Sequence, residues 1–174
     1  MKKAIIYAFI LIGILLVDFY SKDMVSHSMR ENESISILGN FMKFTLIYNY
    51  GTTFGLFKDS VPYITISIVK SIFIFILFVL LLKLPKIFKR TTYQFISGLC
   101  IIFIIGGSLG NVIDRLHDKR VTDFIDIGIA GHRWFVFNLA DVFQVIGGLM
   151  IFFFMIWDLR MIDIMKKSSN QLKE

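Results

Sequence analysis

The chain has 174 residues, of which 56% are hydrophobic and 18% charged, and its formal net charge is +6. A soluble domain of this length needs more polar surface to cover itself, so the composition excludes an ordinary soluble protein. The basic excess is confined to a few short clusters, which disfavours binding to nucleic acid.

Four apolar blocks are long enough to cross a membrane once their flanking residues are counted. About 20 helical residues rise about 30 Å, which matches the hydrocarbon core of a bilayer. We therefore predict an all-α core of four transmembrane helices in one integral membrane domain, residues 1–174. The predicted spans are approximately 4–22, 62–83, 93–113 and 141–160, and segments 23–61 and 114–140 lie outside the hydrocarbon core.

Basic residues indicate how these spans are oriented. They precede the first span, fill the connection between the second and third spans, and follow the fourth span, whereas the two longer segments are nearly balanced in charge. This positive-inside pattern places both termini in the cytoplasm and the two longer segments on the outer face. The residues concerned are Lys2, Lys3, Lys83, Lys86, Lys89, Arg90, Arg160, Lys166, Lys167 and Lys173.

The first outer segment has the pattern of a small β-hairpin. Residues 34–38 alternate polar with apolar side chains, and residues 41–50 are rich in aromatic and β-branched types. Gly39 and Asn40 between them are turn formers. We predict a small external β-sheet that lies over or beside the helix ends.

Asp18 and Lys22 lie at the outer end of the first span with i,i+4 spacing, so they share a helical face and can form an ion pair. Two interpretations are open. Either the pair ends the helix, with Lys22 extended towards the membrane surface, or it supports a site built by other elements.

The third span carries glycines and polar residues on one helical face, because Gly107, Gly110, Asn111 and Asp114 follow i, i+3, i+4, i+7 spacing. Glycines inside a membrane helix permit a neighbouring helix to approach closely, and polar groups there need partners. We expect Asp114 and Arg115 to neutralise each other at the helix end. Arg115 can also meet an anionic or carbonyl group of a ligand.

Two aspartates stand out at the membrane edge. Asn138 suits an N-cap and Asp141 the first turn of a helix, while Asp123 lies in apolar surroundings within the same outer segment. If the carboxyls of Asp123 and Asp141 approach to about 4 Å, their repulsion at an effective dielectric constant near 20 is about 4 kcal/mol, or roughly three pKa units. One carboxyl then stays protonated near neutral pH, which is how aspartic proteases activate water.

The helix start favours the ionised form of Asp141, which suggests Asp141 as the base and Asp123 as the acid. The sequence alone leaves the order of acid and base open. Asp126 competes with Asp141 as the partner of Asp123, because it lies three residues after Asp123 and could share a helical turn with it. We assign Asp126 to the surface or to a supporting position.

Other kinds of site have weaker support. His27, His117 and His132 lack metal-ligand spacing, and Cys100 lies mid-span, where packing is its expected role. We therefore expect no metal and no cofactor. The alternative function is a small four-span transporter or proton pathway, which needs charged residues near span midpoints. Lys70 approaches such a position, without an acidic partner at similar depth.

Five blocks of the chain, taken in order, resemble lipoprotein signal peptidase, or signal peptidase II, the membrane aspartic protease family of bacteria. The resemblance runs across nearly the whole chain, and five blocks in order are specific where one would be weak. The blocks are Asp18-Phe-Tyr-Ser-Lys22, Asn49-Tyr-Gly-Thr-Thr-Phe-Gly55, the segment from Gly106 to Arg115, residues 121–124 with Asp123, and residues 137–141 with Asp141.

The resemblance implies that Asp123 and Asp141 are the catalytic pair and that Asp18 and Lys22 support it. It also implies that several polar residues hold the substrate or shape the catalytic pair. These are Asn49, Asn111, Arg115 and Asn138.

An endopeptidase is the function that the resemblance implies, one that removes the signal peptide from a diacylglyceryl-modified prolipoprotein by cleaving before the lipidated cysteine. It would lie in the bacterial cytoplasmic (inner) membrane with its active site facing outward, and would carry an external β-cradle. Its partners would be the lipid-modified substrate and membrane lipids. We expect a monomer that binds no nucleic acid.

The chain departs from the family pattern at four positions. Thr52 and Thr53 replace two small alanines, Val142 stands where a small hydroxyl residue is common, and Gln144 stands where an aliphatic residue is usual. Gln144 is three residues after Asp141, so the two side chains can touch. These departures bear on substrate preference and rate.

Overall fold

The computed structural model of the chain describes residues 2–51, 61–129 and 131–171. A pair of strands follows the first helix, and a second pair follows the third helix. The elements are α1 (Lys2–Ser28), β1 (Ser34–Leu38), β2 (Met42–Asn49), α2 (Tyr63–Ile87), α3 (Thr91–Asp118), β3 (Val121–Ile129), β4 (His132–Arg133) and α4 (Leu139–Gln171).

The four helices are long and apolar enough to cross a membrane, as the sequence predicted. Helix α3 is the central one, because 61% of its apolar stretch is buried, against 11% in each of the other three. Lys3 donates to the side chain of Gln94 (2.9 Å), so α1 and α3 begin at the same end of the bundle. The opposite end, where α3 stops and α4 starts, carries the sheet and is called the sheet end below.

The sheet has four antiparallel strands in the order β1-β2-β3-β4. Strands β1 and β2 form the predicted hairpin, and Gly39 in its turn has φ +55°, a left-handed conformation that glycine adopts without steric cost. A small sheet beside the helices is therefore confirmed.

Strand β3 was not predicted. Its nine residues pair with β2, so that Asp123 lies opposite Ile47 and Asp126 opposite Lys43. Successive side chains of a strand face opposite sides, and residues three apart therefore diverge. The expectation that Asp123 and Asp126 share a helical turn is wrong.

A buried apolar cluster fastens the sheet to the helices. It joins Val25 of α1, Leu46 of β2, and Phe124 and Ile125 of β3, and Leu46 has no exposed surface. Burying each such side chain contributes about 1.5–3 kcal/mol relative to leaving it exposed. Because Phe124 and Ile125 directly follow Asp123 in the chain, this cluster fixes the position of β3 and of Asp123.

Close helix packing at α3 depends on its glycines. A Cβ atom on Gly107 would collide with the backbone carbonyl of Ala140 in α4, and one on Gly110 would collide with the carboxylate of Asp18 in α1. The predicted role of these glycines in close helix approach is therefore confirmed. Their absence of side chains brings α1 and α4 against the same stretch of α3.

We expect Gly107→Ala to destabilise the bundle. Overpacking against a backbone atom costs about 2 kcal/mol, so the apparent melting temperature in detergent should fall by roughly 4–8 °C. The matched control is Gly148→Ala in α4, where an added Cβ meets nothing within 4 Å. Equal melting temperatures for the two variants would contradict the packing argument.

Candidate active site

Asp123 lies in β3 and is only 3% exposed. Its carboxylate accepts hydrogen bonds from Nδ2 of Asn49 in the neighbouring strand (3.0 Å) and from Nδ2 of Asn138 (2.6 Å). The Oδ1 atom of Asn49 accepts the N–H of Gly51 (2.9 Å). That contact turns the NH₂ group of Asn49 towards Asp123.

Asp141 lies in the first turn of α4, where it forms the predicted cap with Asn138. The N–H of Asp141 donates to Oδ1 of Asn138 (3.1 Å), and the N–H of Asn138 donates to Oδ2 of Asp141 (3.3 Å). This reciprocal pair satisfies backbone donors that a helix start leaves without partners. The cap therefore holds the carboxylate of Asp141 at a fixed place on the helix.

Two asparagine side chains connect the aspartates. Nδ2 of Asn138 donates both to Asp123 and to Oδ1 of Asn111 (3.0 Å). Nδ2 of Asn111 donates to Oδ1 of Asp141 (2.8 Å). Because Asn138 is fully buried, its amide has no solvent to turn towards. The structure thus brings Asp123 and Asp141 into one hydrogen-bonded network.

Asp18 and Lys22 form the predicted ion pair (2.6 Å) and lie within this network. Lys22 is 5% exposed, and its ammonium also contacts Oδ1 of Asn111 (3.1 Å) and the carboxylate of Asp114 (2.9 Å). Asp18 accepts the N–H of Ala140 (2.9 Å) at the start of α4. The geometry favours the interpretation of a supporting pair, and Lys22 does not extend to the surface.

The expected neutralisation of Asp114 by Arg115 is wrong. Among the residues that the structure describes, Asp114 forms its ion pair with Lys22 and none with Arg115. Neighbouring residues on a helix do not face each other, which explains the difference. Arg115 is buried and donates to the backbone carbonyls of Gly51 (2.7 Å) and Asn111 (3.2 Å).

Gln144 touches Asp141, as its spacing allowed. Its Nε2 donates to Oδ1 of Asp141 (3.3 Å), while its Oε1 accepts the hydroxyl hydrogen of Ser108 (3.1 Å). With the donors from Asn111 and Asn138, the carboxylate of Asp141 accepts three hydrogen bonds. These three contacts hold the carboxylate of Asp141 in one orientation.

The other departures from the family pattern are Val142, Thr52 and Thr53, and Val142 lines the same cavity as the two aspartates. Val142 packs against the buried cluster that joins α1 to the sheet. Thr52 and Thr53 lie outside the described residues.

Asp126 stays apart from the two central aspartates. It faces the other side of β3, where it forms an ion pair with Arg133 (2.8 Å) and accepts the hydroxyl hydrogen of Thr45 (2.9 Å). Asp126 is 8% exposed, so its assignment to the surface is wrong. It links β2, β3 and β4.

The pKa of Asp123 is raised to about 7, chiefly because burial penalises the charged form and secondly because of the negative charge on Asp141. The amide donors of Asn49 and Asn138 oppose this rise in pKa. A raised pKa for one carboxyl was predicted from the sequence, but with repulsion between the two aspartates as its cause and without the larger effect of burial. Near neutral pH the Asp123 carboxyl is therefore substantially protonated.

A cavity of about 380 Å³ adjoins the aspartates, with a largely apolar wall. It includes Lys70 of α2, whose presence beside the aspartates no spacing in the sequence indicated. Within the described part of the chain, no three His, Cys, Asp or Glu side chains are grouped so as to hold a metal ion. The lining residues are Asn49, Lys70, Asn111, Arg115, Val121, Asp123, Trp134, Phe135, Val136, Phe137, Asp141, Val142, Val145 and Ile146.

Known proteins resemble this chain in sequence and in fold. A lipoprotein signal peptidase of Fusobacterium nucleatum is 32% identical over 148 residues, covering 85% of this chain and 84% of the relative. One of Wigglesworthia glossinidia brevipalpis is 35% identical over 144 residues, covering 83% of this chain and 90% of the relative. One of Staphylococcus aureus is 29% identical over 173 residues and covers 98% of this chain and 95% of the relative.

A solved structure described as "Bacterial membrane enzyme structure by the in meso method at 2.3 A resolution" superposes with a TM-score of 0.68, at 25% identity and with 88% of each chain covered. Together with the four apolar helices, this likeness identifies a multi-pass membrane protein. The family model for signal peptidase (SPase) II matches residues 10–157, most of the chain. The chain therefore belongs to the signal peptidase II family.

Proposed function

We propose that the chain removes the signal peptide from diacylglyceryl-modified bacterial prolipoproteins by cleaving before the lipidated cysteine, with Asp123 and Asp141 as the catalytic pair. The observation that carries the proposal is the buried amide of Asn138, which is hydrogen-bonded to both aspartates beside one apolar cavity. The relatives named lipoprotein signal peptidase support the substrate class.

The two aspartates have the unequal environments that general acid–base catalysis requires. Asp141 accepts three hydrogen bonds and serves as the base, while Asp123, whose pKa is about 7, serves as the acid. Asp141 takes a proton from water, the water oxygen attacks the scissile carbonyl carbon, and Asp123 protonates the carbonyl oxygen. Asp141 then gives its proton to the leaving amine as the C–N bond breaks, and Asp123 regains a proton from the collapsing diol.

The supporting residues act by holding this geometry. Asn111 and Asn138 fix the positions of the two carboxyls, and Asn49 orients Asp123. Arg115 ties Gly51 to α3 and so fixes the backbone beside Asn49. Asp18 and Lys22 hold Asn111 and the start of α4 in place.

The cavity suits a substrate that carries lipid. Its wall includes the apolar side chains of Val145 and Trp134, which are 60% and 65% exposed and so extend it to the outside of the helices. Lipid tails are as apolar as these side chains, so acyl chains can stay in apolar surroundings as they pass from the bilayer to the cavity. We infer that a diacylglyceryl-modified substrate reaches the aspartates from within the bilayer.

The distribution of basic residues along the chain indicates on which side of the membrane the site lies. Lys83 and Lys86 lie in the last turns of α2, at the end of the bundle opposite the sheet. From the positive-inside rule we infer that the sheet end, and with it the aspartates, faces the outer side of the cytoplasmic membrane. Membrane lipids would then surround the site. The proposed chemistry uses the side chains of one chain only, in keeping with a monomer.

A transporter or proton pathway has less support. The acidic and basic side chains of the network gather at the sheet end, and membership of the signal peptidase II family gives no reason to expect transport.

Asp123→Asn and Asp141→Asn should each lower the cleavage rate of a diacylglyceryl-modified prolipoprotein by roughly 10³-fold, because general acid and base catalysis each supply about 10²–10⁴. The purified variants would be assayed in detergent micelles, with melting temperatures to show that they are folded. Asp23→Asn is the matched control, since Asp23 is half exposed on α1. Near wild-type cleavage by either folded site variant would disprove the proposal.

The cleavage rate should depend on the protonation of Asp123. A raised pKa means that the carboxyl is protonated below about 7 and loses its proton above it, so kcat should fall above that pH, approaching tenfold per pH unit. Asn49→Ala removes a donor that lowers this pKa and should move the descending limb to higher pH. A kcat that stays constant up to pH 9 is the contrary result.

Gln144→Leu should lower kcat about fivefold and leave KM nearly unchanged, because a single hydrogen bond contributes about 1 kcal/mol and Leu keeps most of the volume. Ser108→Ala should give part of this effect, since Ser108 holds the Gln144 amide. If the two act as a unit, the double variant will lose no more than Gln144→Leu alone. Fully additive losses would show that Ser108 does not act through Gln144.

A further inference from the structure

The cavity contains one cation that the mechanism above does not use. Lys70 lies seven residues after the start of α2, about 10 Å along the helix axis. Its neighbours Ile68, Val69 and Ile72 are more than half exposed on the outside of the bundle. An ammonium at such a depth in a membrane helix is costly and calls for a partner.

No protein partner for Lys70 is found in residues 2–51, 61–129 and 131–171. The other two cations of the site are engaged there, because Lys22 contacts Asp18 and Asp114, and Arg115 donates to two backbone carbonyls. Lys70 forms neither an ion pair nor a hydrogen bond with the described residues, and its side chain lines the cavity. The long flexible stem of lysine lets the ammonium move towards a ligand there.

The charged groups that act on Lys70 are those of the site itself. Asp123 and Asp141 attract its ammonium, and Arg115 and Lys22 repel it. Lys70 and the two aspartates form no ion pair, but they line the same cavity, so a ligand in that cavity can contact all three side chains. That ligand must present negative charge or a carbonyl oxygen to an ammonium.

Peptide hydrolysis creates such a group. The water oxygen becomes bonded to the acyl carbon, the amine leaves with a proton, and the acid released at neutral pH loses its proton to solvent. The signal-peptide fragment therefore ends in a new carboxylate, formed next to Asp141. Resting on the proposed function, we propose that Lys70 is the subsite that binds this new C-terminal carboxylate of the cleaved signal peptide.

The experiment compares two peptides of the same signal-peptide sequence, one ending in a carboxylate and one in a carboxamide, as inhibitors of prolipoprotein cleavage. In phospholipid-free detergent, the wild-type protein should bind the acid about tenfold more tightly than the amide, a difference of about 1.4 kcal/mol. Lys70→Met should abolish the difference, and Lys70→Arg should retain most of it. Val69→Met, on the lipid-facing side of the same helix, is the matched control and should behave as the wild type.

Binding of fluorescently labelled forms of both peptides, measured without cleavage, separates this proposal from the proposed function. Equal affinities for acid and amide in the wild type, or an unchanged ratio in folded Lys70→Met, would overturn the carboxylate subsite. A difference that appears only after an anionic phospholipid is added assigns Lys70 to a lipid phosphate and also overturns it. A further outcome is a protein that prefers the peptide ending in a carboxylate, through Lys70, and yet cleaves no prolipoprotein. That result would support the anion site and disprove the proposed function.

Discussion

The buried amide of Asn138 is the constraint on which the site depends. Its three side-chain hydrogen bonds reach β3, α3 and the first turn of α4, which come from separate parts of the chain. A buried amide that loses its partners costs about 1–3 kcal/mol, so each of these elements is held where the amide needs it. The helix cap and the link between the aspartates are thus functions of the same side chain, and neither can be changed without the other.

Charge balance follows from this arrangement. Lys22 forms ion pairs with both Asp18 and Asp114 inside the bundle, and Arg133 forms one with Asp126 on the far side of β3. Asp123 and Asp141 are the two carboxylates that receive amide and backbone donors in place of a cation. A proton on Asp123, and not a salt bridge, therefore relieves the repulsion between the two carboxylates. This arrangement suits a pair that exchanges protons with its substrate.

The sequence predicted the features that depend on local spacing. The cap at Asn138 and the ion pair within α1 each need only one helical turn, and the hairpin needs a turn at Gly39. Strand β3 was missed because side chains on both of its faces are buried, which removes the alternation that marks a strand. The pairing of Asp114 was mistaken because its partner comes from α1, and Lys70 was left aside because only tertiary packing brings α2 to the cavity.

The ion pair in α1 has a consequence for the order in which the membrane protein is made. Asp18 and Lys22 are one turn apart, so they can neutralise each other as soon as the first helix leaves the ribosome. Of their other partners, Asn111 and Asp114 are translated about 90 residues later and Ala140 about 120 residues later. The first helix can therefore enter the bilayer with Asp18 and Lys22 already paired. When the later helices arrive, contacts with Asn111 and Ala140 replace contacts with solvent. The residues that support the finished site thereby also ease the insertion of the segment that carries them.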